Sequence, residues 1–223
     1  MNSEAPEPTK AGLPAHEQVY RDLRDAILFG ELEPGEPVTI QGLVARLEAG
    51  MTPVREALRR LTAEGALNAM GNRRIVVPVL DVDAVDELSA ARQALEPLLA
   101  RRAATRVTPD DVAELTSIDD RLDHAIERGD VSTYLQENHA FHAKLNQVAE
   151  APILTAMVDG LWLRFGPSLR IVCGQMGTRN LPDRHKDMLV ALAKGDADAT
   201  ARAMADDVTQ GMDLVRQAVP DQK

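Results

Sequence analysis

Four side chains in the C-terminal half of the chain are of types that ligate metals, and their spacing sorts them into two pairs. Asn138 and His142 are four residues apart. On a helix that puts both on one face, while His139 points about 100° away. His185 lies ten residues before Gly195, and Asp207 lies eleven after Asp196. With the Gly195-Asp196 break as the turn of an antiparallel helix hairpin, a rise of ~1.5 Å per residue sets these two side by side, about 15 Å from the turn. Each pair thus offers one oxygen and one nitrogen ligand. Taken alone, these residues read first as polar members of a helix bundle, with Asp206-Asp207 a solvated acidic face. Arg92 also has two readings: a planar fork on an effector carboxylate, or a bridge to Glu96 one turn away.

A second group of residues points to phosphate. The chain carries a net charge of −10, unevenly spread. Residues 1–78 hold 9 Lys+Arg and 11 Asp+Glu, and within 51–78 the balance reverses, with Arg55, Arg59, Arg60, Arg73 and Arg74 against Glu56 and Glu64. Affinity for a nucleic-acid backbone depends on the local patch rather than the total, so this cluster marks a candidate DNA-binding face.

The elements that position both groups follow from periodicity. Val19, Leu23, Ala26 and Ile27 recur at helical spacing between Ala15 and Phe29, with Gly30 as the stop. After the turn cluster Glu33-Pro34-Gly35-Glu36-Pro37, a short helix is predicted from about Ile40 to Leu47. Thr52-Pro53 reads as an N-cap with proline at the first helical position of a third helix, whose Val54, Ala57, Leu58 and Leu61 face inward and whose arginines face out. Two extended runs around Gly71-Asn72 then predict a β-hairpin with Arg73 and Arg74 at its tip. Three helices and a basic hairpin make a winged helix-turn-helix over 15–78. A disordered arm is expected at 1–14, a linker at 79–83, and an antiparallel all-α bundle of six or so helices at 84–219. Its breaks include Thr108-Pro109, Gly129-Asp130 and Gly195-Asp196, with an ordinary loop from Cys173 to Pro182. The fold class is mainly α.

Composition agrees. Aromatic residues are 3% of the chain and hydrophobic residues 44%, a bias toward helix formers in a globular composition. No apolar run approaches the ~20 residues that span a bilayer, and the N-terminus has no secretory pattern. With the single Cys173, disulfides and cysteine-based zinc sites are excluded and a cytoplasmic location is expected.

Thr52-Pro53-Val54-Arg55-Glu56-Ala57-Leu58, followed by Leu61 and Glu64-Gly65 and preceded by Gly30-Glu31-Leu32-Glu33-Pro34-Gly35, closely resembles the GntR family of bacterial transcription regulators. Arg92-Gln93-Ala94-Leu95-Glu96 and Phe141-His142 are similar to the FadR-like subfamily, whose effector domain is called FCD. The resemblance implies a homodimer that binds a double-stranded operator through winged helices and answers to a small-molecule effector, in the manner of a repressor of a metabolic operon. It implies DNA contacts from Thr52, Arg55, Arg59, Arg73 and Arg74. Where relatives commonly carry Ser-Arg or Thr-Arg, this chain has Gly50-Met51, so an arginine that could reach a guanine edge is absent and the remaining residues carry more of the readout. The resemblance also links the two ligand pairs. Metal-binding FCD domains use an aspartate and three histidines; here Asn138 stands at the aspartate and Asp207 at the last histidine, with His142 and His185 between. Two imidazoles and two oxygen ligands suit zinc, nickel or manganese, and Arg92 becomes the expected effector contact.

Two other classes compete. A metal-dependent hydrolase would use the same cluster, but the chain has no histidine-glutamate metalloprotease motif, phosphate-binding glycine loop or nucleophile elbow. A non-catalytic helical dimerisation protein explains the bundle and leaves the basic wing without a purpose. The regulator reading uses both halves, and no enzymatic activity is expected.

Overall fold

The computed structural model describes residues 13–71, 74–176 and 184–219. The expected arm at 1–14 falls, except for Leu13 and Pro14, outside the described residues. Helix α1 (Ala15–Leu28) buries Val19, Leu23 and Ile27 and stops at Gly30, whose φ of +66° a side-chain-bearing residue rarely adopts. Helix α2 (Ile40–Leu47) starts on Thr39, whose side chain accepts from the Gly42 amide, and α3 (Met51–Ala63) packs against α1 and α2 through Val54, Ala57, Leu58 and Leu61. The N-cap of α3 is Gly50, not Thr52. The chain enters the helix two residues earlier than Thr52-Pro53 suggests, and both lie in its first turn.

A three-stranded sheet takes the place of a simple hairpin. β1 (Pro37–Val38), β2 (Asn68–Met70) and β3 (Arg74–Val76) are arranged in the order β1-β3-β2, all antiparallel, with Val38 opposite Ile75 and Met70 opposite Arg74. β1 comes from the segment read only as a turn cluster.

The second half is helical: α4 (Val82–Ala104), α5 (Pro109–Arg128), α6 (Val131–Val148), α7 (Pro152–Met176), α8 (His185–Ala193) and α9 (Ala197–Ala218). Caps set their starts. Asp81 accepts from Ala84 N, Thr108 and Asp111 form a reciprocal capping box, and Asp130 and Asp196 cap α6 and α9. α4 begins inside the segment expected to be a linker. α7 continues through Cys173 to Met176, so the loop expected from Cys173 to Pro182 begins later; residues 177–183 lie outside the described residues. α4 pairs with α9, α5 with α6 and α8 with α9.

The two halves share one buried cluster, running from Leu23, Ile27 and Leu61 to Phe141, Phe165 and Met204. α7 is the element on which they meet. A Cβ on Gly166 would overlap the Leu28 carbonyl oxygen, so glycine there lets the end of α1 rest on the helix backbone. Arg170 lies against Gly30, and Arg164 lies against Gly65 and donates from Nη2 to the Glu64 carbonyl at 3.4 Å.

Candidate functional site

His142 from α6, His185 from the first turn of α8 and Asp207 from α9 converge inside the bundle, each offering one ligand atom, all within 4.8 Å of one another. His142 Nε2 lies 3.2 Å from Asp207 Oδ2, and His185 Nε2 lies 4.0 Å from Asp207 Oδ1. The same-level placement of His185 and Asp207 expected from the helix hairpin is what the structure has. Asn138 lines the same cavity, of about 40 Å³, together with Arg92, His142, Trp162 and Asp207. That volume takes an ion with a water or two.

Residues with no place in the sequence-based site complete it. Glu96, 0% exposed, takes Arg92 Nε on Oε1 at 2.5 Å and Nη2 on Oε2 at 3.3 Å, and Oε2 also accepts from His142 Nδ1 at 3.1 Å. The local Arg92–Glu96 bridge therefore forms, and it commits one edge of the guanidinium; Nη1 meets the Met212 sulfur at 3.6 Å. Arg92 is stacked over Trp162 and Phe165, 4.6 and 4.4 Å from the ring centroids. Asp119 of α5 places Oδ1 3.3 Å from His185 Nδ1. The i,i+4 spacing of Arg92 and Glu96 was the sequence signal for one of these contacts. Asp119 and Trp162 gave none, because their contacts cross between helices.

Electrostatics follow from burial and pairing. Burial opposes ionisation of Glu96, but the Arg92 guanidinium and His142 outweigh it and hold the carboxyl down at about 2. Burial likewise opposes protonation of His142, yet the Asp207 and Glu96 carboxylates push its imidazole up to about 9. Asp207 is lowered, its burial outweighed by His142. His139, one position from Asn138 but on a different face, is pushed down to about 4 by burial, with Arg24 adding to the effect. Its ring meets Phe29 edge-on at 5.8 Å and Trp162 at 5.2 Å.

The ionic character of the cluster fits a divalent cation. With neutral imidazoles the charges gathered here are Glu96, Asp119 and the half-buried Asp207 against Arg92, a balance that a dication closes. His142 Nε2 is buried and, although close to Asp207, lacks hydrogen-bond alignment. Ligand atoms around an ion bound at ~2 Å lie about 3–4 Å apart, so the three residues need only a small contraction.

On the N-terminal half, Thr52, Arg55 and Arg59 lie exposed on α3 and Arg74 is exposed on β3, while Arg73 lies outside the described residues. Arg60 is different: it stacks 3.5 Å over the Tyr20 ring and pairs with Glu17 and Glu64, both at 3.1 Å.

Known proteins agree with both halves. The family described as bacterial regulatory proteins, gntR family, matches residues 15–77, and the FCD domain matches residues 87–210. The chain is 30% identical over 203 residues to the HTH-type transcriptional regulator McbR of Escherichia coli K12, covering 90% of this chain and 92% of McbR. It is 29% identical over 209 residues to the HTH-type transcriptional repressor RspR of the same organism, covering 92% and 90%. The solved structure of E. coli McbR/YncC superposes with a TM-score of 0.87 at 29% identity, covering 92% of this chain and 99% of that one. The winged helix-turn-helix joined to an FCD bundle is the architecture of a DNA-binding transcription regulator. The chain belongs to the GntR family of transcription regulators, with an FCD domain as its helical bundle.

Proposed function

We propose that the protein is a homodimeric repressor whose DNA affinity is set by a divalent metal, and through it a small carboxylate effector, held in the helical bundle. The observation that carries this reading is the convergence of His142, His185 and Asp207, two of which, His142 and Asp207, line one cavity with Asn138 and Arg92. Zinc, nickel and manganese are all compatible with two imidazoles and two oxygens. An effector carboxylate would complete the coordination and use the Nη1 edge of Arg92, with the cavity wall moving outward to admit it. Thr52, Arg55 and Arg59 would enter the major groove from α3, and Arg73 and Arg74 would contact the backbone or minor groove from the wing. Repression is the mode that the printed description of RspR supports.

Two copies are needed to read a two-fold operator. Ile153 and Met157, 78% and 53% exposed and one turn apart on α7, offer an apolar face for association. The test is metal analysis of protein purified without chelator or affinity tag, followed by operator titration at fixed salt with and without the metal. Stoichiometric metal and a metal-dependent shift in operator affinity support the reading. No bound metal, and no melting shift with any of the three ions in wild type or in His142→Ala/His185→Ala, would leave these residues as polar core.

A further inference from the structure

Both histidines of the cluster are approached from behind by a buried carboxylate. Glu96 Oε2, from α4, is hydrogen-bonded to His142 Nδ1 at 3.1 Å, and Asp119 Oδ1, from α5, stands at ion-pair distance, 3.3 Å, from His185 Nδ1, close but without hydrogen-bond alignment. The two carboxylates come from different helices, each is at most 2% exposed, and in both cases the opposite nitrogen, Nε2, is the one turned to Asp207. A neutral imidazole has one N–H and one lone pair. A carboxylate at Nδ1 selects the tautomer with the proton there, fixes the ring orientation and leaves the Nε2 lone pair for a metal.

We propose that Glu96 and Asp119 are positioning residues of the metal centre, each fixing one ligand histidine for coordination through Nε2. This rests on the metal reading above. The arrangement is more than a way of satisfying a buried arginine. Glu96 uses Oε1 for Arg92 Nε and turns Oε2 toward both Arg92 Nη2 and His142, and Asp119 sets a second buried carboxylate beside the corresponding nitrogen of a histidine on another helix. Arg92 then acts at one remove: its Nε and Nη2 hold the Glu96 carboxylate in place, with Oε2 in front of His142 Nδ1.

The test compares wild type with Glu96→Gln and Asp119→Asn. Zinc affinity is measured by chelator competition, and the ligating nitrogen is read from the imidazole nitrogen resonances of the zinc-loaded protein. Each substitution is expected to weaken zinc binding about 10- to 100-fold, and wild type is expected to show zinc at Nε2 with a proton retained on Nδ1 of both histidines. Metal-free melting is followed alongside. Asp119→Asn leaves the Arg92–Glu96 pair intact and carries the test if Glu96→Gln does not fold. Wild-type zinc uptake with unchanged affinity in a folded variant, or ligation through Nδ1, overturns the positioning role alone. A wild type that takes up no zinc, nickel or manganese overturns the metal reading, and this one with it.

Discussion

Arg60 is tied into the fold by the Tyr20 ring, Glu17 and Glu64, whereas Arg55 and Arg59 extend from the same helix with exposed side chains. The difference separates DNA reading from stability. Arg55→Ala is expected to weaken operator binding by ~5- to 150-fold, the equivalent of about 1–3 kcal/mol for a bidentate base contact, with an unchanged melting temperature. For Arg60→Ala the order reverses: the lost stacking contact, worth about 0.5–1 kcal/mol, lowers melting by a few degrees, while discrimination between operator and mismatched DNA in the same titration is kept. Two histidines on α6 titrate in opposite senses. His139 is depressed to about 4, so below the ordinary imidazole value near 6.5 the unfolded chain takes up a proton that the folded one refuses. Its contribution is present above pH ~6.5 and is lost as pH falls to about 4. His142, raised to about 9, stabilises the metal-free fold below pH ~6.5 and loses that contribution as pH climbs through 9. His139→Phe should therefore flatten the acid-side fall of the unfolding free energy, read from urea titrations, by at most about 3 kcal/mol. A variant with the wild-type slope between pH 4 and 6.5 would show that His139 is not the group responsible.

Helix α7 borders the cavity through Trp162 and Phe165 and the N-terminal half through Arg164, Gly166 and Arg170. α7 is thus the contact through which a displacement at the cavity is expected to reach the ends of α1 and α3. Gly166→Ala forces the α1 terminus off the α7 backbone and is expected to cost about 1–3 kcal/mol of stability while diminishing the metal dependence of operator affinity. Unchanged dependence would place the coupling elsewhere. In the wing, Arg74→Ala should lower the slope of log affinity against log salt by about 0.9 if it neutralises one phosphate. The helices were legible in the sequence because apolar residues such as Leu23, Ile27, Leu58 and Leu61 recur at their proper spacing between clear caps. β1 was not, since two residues show no period and Pro37-Val38 become a strand only by pairing with β3, distant in sequence. The far end of α7 was obscured by Gly174, and its middle carries Gly166 and Pro167. The ligand pairs were readable within one helix or one hairpin. The Glu96 contact with His142, and Asp119 altogether, depend on how α4 and α5 are rotated against α6 and α8, and polar residues on a buried stripe, Arg92 and Glu96 among them, blur the pattern from which that rotation is read.

Taken whole, the molecule keeps its excess negative charge away from the face that meets DNA: the recognition helix and wing are locally basic on a chain of net charge −10. Non-cognate DNA is therefore expected to be held weakly at physiological salt, with operator affinity falling steeply as salt rises. Association doubles the recognition helices, and light scattering at operator-saturating concentration is expected to return twice the 24.3 kDa chain mass; a monomeric mass there would contradict the dimer. Metal at a hundredfold excess over its dissociation constant should add ~2.7 kcal/mol to folding stability, visible as a rise in melting temperature that His142→Ala/His185→Ala abolishes. The only tryptophan of the chain, Trp162, lines the cavity with its ring 5.0 Å from that of His142 and beneath the Arg92 guanidinium. The protein consequently carries its own optical reporter. Excited beyond the tyrosine band, its emission comes from a single indole lining the cavity, so paramagnetic nickel or manganese at the proposed site is expected to quench it where closed-shell zinc is not, and occupancy can be followed in unlabelled protein during an operator titration.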